Sequence, residues 1–415
     1  MSDESAELSH RVVRMLGRDP GESHRAATPL ELLFDLTFVV AFGVAGNELA
    51  HFLAEDHIGA GVGGFLFAVF AISWAWINFS WFASAYDTDD WLFRLLTMVQ
   101  MVGVLILALG LPVMLDSLEQ GGHVDNGVMV LGYVVMRVPM VFQWARAARQ
   151  DPERRSACQA YIVTILAAQA GWVVLLFAQT SLLVTIAGVI VLVLVELAGP
   201  VVAETRYGGT PWHARHIAER YGLLVIITLG ESLIGTMATL SAVVGPGGAG
   251  WSADVVLVGL AGTALTFGMW WSYFIIPSAQ ILDARRERYF GWGYGHIPMF
   301  GAVVAVGAGL HVAAYFIQRE SALGAVATLL TVAIPTALFI AGVYWIYSAL
   351  TRSLDPFHIS LLVGTAVVLV ASVSLAAAGT SVAWSLLVLA LAPWVTVVGY
   401  ELRGHRHNEE VLAGL

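Results

Sequence analysis

The chain contains no lysine; all 20 of its basic residues are arginine, which reads as a coding bias. Without a lysine amine there is no Schiff-base anchor, so a retinal-type pigment is excluded. A single cysteine, Cys158, excludes an internal disulfide framework. Charge is scarce, at 12% of residues against 58% hydrophobic, and no basic patch with interleaved aromatics offers a nucleic-acid surface. There is no phosphate-binding glycine loop, no zinc-protease helix and no nucleophile elbow, which argues against ATP-driven transport within this chain. No cofactor and no metal are expected from these patterns.

What the chain has instead is apolar length. Runs of about 20 residues, each able to cross roughly 30 Å of hydrocarbon, recur along nearly all of it. The fold class is an all-α polytopic membrane protein with about 12 transmembrane helices. The spans are expected at 30–52, 59–84, 92–115, 127–147, 158–177, 181–203, 217–241, 253–277, 292–316, 322–350, 357–378 and 382–402. Only Gln179, Thr180 and Ser181 separate two of these runs, so ten or eleven spans are the alternatives. Residues 1–29 are polar and irregular and lack the features of a cleaved signal peptide, so the first span is expected to act as its own insertion signal. The organisation is a segment at 1–29, six-helix halves at 30–203 and 204–402, and a tail at 403–415.

Arginine placement orients the spans. Eighteen of the 20 arginines fall at the two ends or in alternate loops, from Arg11 to Arg406. The opposite loops carry Glu55, Asp56, Asp116, Glu119 and Asp125, with Arg319. That asymmetry puts both termini in the cytoplasm. The tail HRHNEE (His405–Glu410) is read as solvated.

The polar groups inside the spans are the candidates for function, because an acid there costs roughly 2.5–3.5 kcal/mol on insertion scales. Glu31 and Asp35 share one face of the first span with Phe38, Phe42 and Gly46, and Gly46 is expected to leave room for water. Glu31, behind Thr28-Pro29, also suits a helix-capping role. Arg137 lies about ten residues from either end of its span, beyond easy snorkelling, with Pro139 close behind. It is either a buried ion pair or an anion-binding or gating charge, and Glu231 at similar depth is its expected partner. Arg220, Leu224, Thr228, Glu231 and Gly235 form one stripe, where Gly230 and Gly235 admit a neighbouring helix or a water column.

Glu196 and His296 sit near the depth expected for Asp35, and with Glu219, His213 and His216 they could form a polar vestibule. His213, His216 and Glu219 also have a spacing that can bind a metal, though a wet amphipathic lead-in explains it more often. His311, Asn78 and Gln100 are read as helix–helix hydrogen-bonding groups. Trp74, Trp76, Trp81, Trp270 and Trp271 are read as an interfacial aromatic belt.

An internal repeat is visible as well. Trp74…Asp87 and Trp270…Asp283 have the same separation, LALGL (Leu107–Leu111) matches VGAGL (Val306–Leu310), and Glu31 and Glu219 each open a span. Two six-helix repeats in the same orientation are expected.

Three ordered segments carry a family resemblance: ATPLELLFDLTFVVAF at the start, HIAERYGLLVIITLGES (His216–Ser232) and YGHIPMFGAVVAVGAGL (Tyr294–Leu310). Together they resemble the bacterial low temperature requirement protein A (LtrA) family over most of the chain. Leu33 stands where that family commonly has a second aromatic, and Thr37 where it commonly has valine. The resemblance implies a bacterial inner-membrane protein associated with growth in the cold and supplies no biochemical activity.

Two functions follow from the residues. One is a transporter or channel for a small cation or protons, with Asp35, Glu231, Arg137, Glu31, Glu219, Glu196 and His296 along the path. A lysosomal potassium-channel family with two six-helix repeats is a fold-level analogy for it. The other is an intramembrane enzyme acting on lipid or a hydrophobic metabolite, using Asp35, Glu196 and His296 as acid–base groups. A non-catalytic stress-related membrane protein is a third. The expected partners are membrane lipid and a small cation or proton, with a homo-oligomer compatible and nucleic acid excluded.

Overall fold

A computed structural model describes residues 12–22, 25–121, 123–244, 250 and 253–414. Every regular element among them is helical. Among the described residues, twelve helical runs are long and apolar enough to cross a membrane. The stretch 161–204 resolves into two helices, as expected, with a short connection between them.

Contacts group the chain into two compact units, residues 1–37 with 75–217, and residues 38–74 with 218–415. The helices α1 (Pro29–Ala54), α2 (Ile58–Tyr86) and α8 (Ala214–Val244) contribute to both. The first unit also holds α3 (Trp91–Leu109), α4 (Leu111–Glu119), α5 (Gly127–Gln150), α6 (Arg155–Phe177) and α7 (Leu182–Arg206). There α3 packs on α5, α5 on α6, and α6 on α7. Gly103 and Gly132 set the first contact: a Cβ on Gly132 would stand 2.4 Å from the Leu107 backbone nitrogen. Backbones this close need small residues, the usual packing device where lipid supplies no hydrophobic drive between helices.

The second unit holds α9 (Ala253–Phe274), α10 (Ser278–Ala284), α11 (Tyr289–Gln318), α12 (Ala325–Thr351), α13 (Pro356–Ala377), α14 (Val382–Leu389), α15 (Ala392–Gly399) and α16 (His405–Ala413). Its main packing is α11 on α12, α12 on α13, and α9 on α14 and α15. Both units leave large apolar side chains exposed, among them Phe177 and Leu183 in the first, each 78% exposed, and Trp345 and Val370 in the second. An apolar exterior on this scale suits hydrocarbon and would be a liability in water.

Two of the expected spans are broken. The run 92–115 divides at Gly110, and the run 382–402 divides at Ala390–Leu391. Proline accounts for both, since it lacks an N–H and its ring meets the carbonyl four residues back. Pro112 and Pro393 each stand in the first turn of the helix that follows a break. A π-helical segment, Tyr400–Gly404, then leads into α16.

The aromatic-belt expectation also needs correction. Trp270 and Trp271 are exposed, but Trp74, Trp76 and Trp81 are almost fully buried. Two of these indoles are hydrogen-bond donors to carboxylates: Trp76 Nε1 to Asp35, and Trp81 Nε1 to Glu204. The described part of the N-terminal segment lacks helix but is docked on the first unit. Val13 N donates to Asp90 Oδ2 (3.0 Å), Met15 N to Gln150 Oε1 (2.6 Å) and Gly17 N to Asp151 Oδ2 (3.2 Å).

Candidate functional site

The opening of α1 builds one polar cluster in the first unit. Thr28 N donates to Glu31 Oε2 (2.8 Å) and Glu31 N donates to Thr28 Oγ1 (3.3 Å). This reciprocal capping box bears out the capping reading of Glu31. The same carboxylate does more, because His216 Nε2 lies 3.1 Å from Glu31 Oε1 and both side chains are fully buried. His216 N donates to His213 Nδ1 (3.1 Å), and His213 N donates to the Ser84 hydroxyl (3.0 Å). One turn along α1, Asp35 Oδ1 accepts from Trp76 Nε1 at 2.7 Å, and Asp35 is likewise fully buried.

Just outside α2, Asp87 and Arg25 form a buried pair at 3.9 Å. Burial, with the Glu31 charge second, pushes the Asp87 carboxyl up to about 6. Burial likewise pulls the Arg25 guanidinium below its usual range.

A second cluster sits between α5, α6 and α7. Arg137 Nη2 lies 3.2 Å from Glu196 Oε2, Tyr133 donates to Glu196 Oε1 (2.6 Å), and Trp172 Nε1 donates to the same oxygen (3.3 Å). Arg137 also donates to the Tyr133 hydroxyl and sits 4.6 Å over the Tyr133 ring. The expected Arg137–Glu231 pair is therefore replaced by Arg137–Glu196. Depth along a span does not reveal which helices are neighbours, and α5 and α7 are joined through α6. A nearby acid that the sequence reading passed over, Glu204, accepts from Tyr161 (2.9 Å), Trp81 (3.2 Å) and the Thr210 hydroxyl (2.7 Å).

In the second unit, Glu231 has a different setting. The stripe Arg220, Leu224, Thr228, Glu231 and Gly235 is the buried face of α8, as expected. Among the described residues, Glu231 has no hydrogen-bond or ion-pair partner, and it is only 6% exposed. Its carboxyl occupies the space left by Gly43 on α1, where a Cβ would stand 3.1 Å from Oε1. Behind it, α11 comes so close that a Cβ on Gly307 would stand 2.7 Å from the Glu231 carbonyl oxygen. Gly235 serves the approach of that helix as expected, whereas Gly230 faces open space. Gly46 does not leave a space for water, because a Cβ there would stand 3.0 Å from Val304 Cγ1.

His296 is fully buried with both ring nitrogens engaged, Nε2 by the Tyr273 hydroxyl (3.0 Å) and Nδ1 by the Trp292 carbonyl (2.8 Å). Glu219 is exposed, His216 Nε2 faces Glu31, and the His213 ring is taken up by the Glu22 carbonyl at Nε2 (2.7 Å) and by His216 N at Nδ1, so the three do not form the suggested metal-binding face. Gln100 is a helix–helix hydrogen-bonding group as read, donating to Gln143 Oε1 (2.9 Å).

These features define an integral membrane protein of twelve apolar helices with charged groups held inside its units. More particularly, the chain belongs to the LtrA family, Bacterial low temperature requirement A protein, whose model matches residues 26–393. It is also similar to "Uncharacterized protein RA0937" of Rhizobium meliloti (strain 1021), at 26% identity over 371 residues, covering 85% of this chain and 84% of that protein. No solved structure matches it.

Proposed function

We propose that the protein moves protons or a small cation across the membrane, with Glu231 as the carboxyl that exchanges charge. The observation that carries this reading is the setting of Glu231, buried in a span with no hydrogen-bond or ion-pair partner among the described residues. An uncompensated carboxylate in a low-dielectric interior costs several kcal/mol, and taking up a proton or a cation removes that cost. The other intramembrane acids have evident partners. Glu196 is neutralised by Arg137, Glu31 faces His216, and Asp35 holds the Trp76 indole. Asp35 serves as a second, hydrogen-bonded carboxyl on this reading, and Arg137 and Glu196 lock α5 to α7.

The enzyme reading loses ground, because each of its acid–base candidates is held by a partner of its own: Asp35 by Trp76, Glu196 by Tyr133 and Arg137, and His296 by Tyr273. The same proposal sets the protein in the bacterial inner membrane with both termini cytoplasmic, on the strength of the arginine asymmetry.

The test is purified protein in liposomes under imposed potassium, sodium and pH gradients, read by internal dyes. Wild type is expected to dissipate at least one gradient, and Glu231→Gln to fold normally and lose that flux. Folded wild-type protein that passes none of the three ions would sink the transport reading. Normal flux in Glu231→Gln would remove this residue from it.

A further inference from the structure

The tail HRHNEE exposes Arg406, Glu409 and Glu410 as expected, but His407 is tied back to the bundle. Helix α16 brings His407 back to the start of α13, where Asp355 is the N-cap residue and His358 lies in the first turn. Asp355 Oδ1 accepts from Phe357 N (2.8 Å), which fixes the carboxylate, and its Oδ2 lies 2.5 Å from His407 Nε2. One ligand atom from each of Asp355, His358 and His407 lies within 4.8 Å of the others.

His358 is 3% exposed and uses its two nitrogens differently. Nε2 is hydrogen-bonded to the Tyr400 hydroxyl, while Nδ1 is buried with no hydrogen-bond partner among the described residues. An imidazole held through one nitrogen with the other left open is the arrangement found where histidine binds a metal, the second-shell partner fixing the ring. Tyr400, which supplies that contact, opens the π-helical segment ahead of α16, and such segments concentrate at functional sites. A cavity of about 370 Å³ adjoins the cluster, lined by Asp355, His407, Tyr347, Thr351 and Arg285 among others.

We propose that Asp355, His358 and His407 form a binding site for a divalent transition-metal ion of the zinc type, which fastens α16 to the α12–α13 corner. The donor set decides the class of ion. Two imidazoles with one carboxylate suit zinc, iron, cobalt or nickel, whereas magnesium and calcium take oxygen ligands and gain little from imidazole. Three protein ligands beside a cavity leave room for water or another small ligand to complete the coordination. A plain hydrogen-bonded clasp of Asp355 and His407 would hold the tail without metal, but it leaves the buried Nδ1 of His358 unexplained.

The test uses the full-length protein, purified without a histidine tag, stripped with chelator and dialysed against Zn²⁺ or Mg²⁺, with metal per chain measured by mass spectrometry. Wild type is expected to retain one Zn²⁺ per chain and no Mg²⁺, and bound Co²⁺ to give visible d–d bands. His407→Ala and Asp355→Asn, both at the partly exposed edge of the cluster, are expected to lose the ion while keeping the elution profile of folded protein. Tyr400→Phe, which touches only the positioning contact, is expected to weaken Zn²⁺ binding by about 10–100-fold. Wild type that holds no Zn²⁺ above background overturns the proposal, and so does Zn²⁺ retained undiminished in both His407→Ala and Asp355→Asn.

Discussion

At the scale of single residues, partners rather than positions separate structural charges from working ones. Arg137 has 3% exposure and a carboxylate at 3.2 Å, and removing one member of such a buried pair typically costs about 3–5 kcal/mol. Arg137→Met is therefore expected to express poorly, because it strands Glu196 beside Tyr133 and Trp172. Arg137→Met with Glu196→Leu should recover, whereas Arg137→Met with Glu231→Leu should not; yield of folded protein by size-exclusion chromatography distinguishes these outcomes.

Asp87 makes the opposite case, an acid whose charged form is disfavoured by burial and pushed up to about 6. In that window the folded state binds more protons than the unfolded state, so stability falls as pH rises. The melting temperature of Asp87→Asn minus that of wild type is expected to increase between pH values of about 4 and about 6.5, spanning the free and shifted carboxyl ranges. A flat difference across that range would refute the assignment. The sequence disclosed that Arg137, Glu196 and Glu231 are unusual, since each interrupts an apolar run. It did not disclose who meets whom, because pairing depends on helix neighbours that periodicity cannot specify. His358 drew no attention at all, for its significance lies in Tyr400 and His407, more than 40 residues downstream.

At the scale of helices, span positions were readable because roughly 20 apolar residues have few alternatives in a bilayer. The breaks at Gly110 and at Ala390–Leu391 were also within reach, as Pro112 and Pro393 stand in the sequence, but the length criterion overrode them. Small-residue crossings were harder to read. Gly235 and Gly230 look alike in sequence, yet Gly235 would collide with the Gly307 carbonyl oxygen at 2.5 Å and Gly230 meets nothing within 4 Å. The difference is testable through the facing helix. Gly307→Ala would place a methyl 2.7 Å from the Glu231 carbonyl, and overpacking of that kind typically costs about 1–3 kcal/mol. Gly230→Ala, in contrast, is expected to be neutral or to gain up to about 1 kcal/mol from helix propensity. Thermal unfolding in detergent would show the ordering, and equal behaviour of the two variants would contradict the close α8–α11 approach.

At the scale of the whole molecule, composition alone indicated a polytopic helical membrane protein, and three ordered segments indicated the family. The six-plus-six repeat is a proposal about ancestry, and its two reference tryptophans now differ in setting, Trp74 buried and Trp270 45% exposed. Orientation can be tested directly. Cys158 is buried, so a Cys158→Ala background is needed for thiol labelling. In that background, a cysteine at exposed Gln120 is expected to react with impermeant reagent added to intact cells, and one at exposed Glu153 only after the membrane is opened. Reversed accessibility would invert the arginine argument.

The docked N-terminal segment has a consequence for how the protein comes into being. Val13 and Met15 find their partners at Asp90 and Gln150, so the segment cannot close until the chain has grown past α5. At translation rates of about 5–20 residues per second, the 135 residues between Met15 and Gln150 correspond to roughly 7–27 seconds of synthesis. During that interval the stretch from Val13 to Gly17 lacks these partners and is open to chaperones and proteases, while several helices are already inserting. The segment thus waits on helices made well after it, and closing it marks completion of α1 to α5.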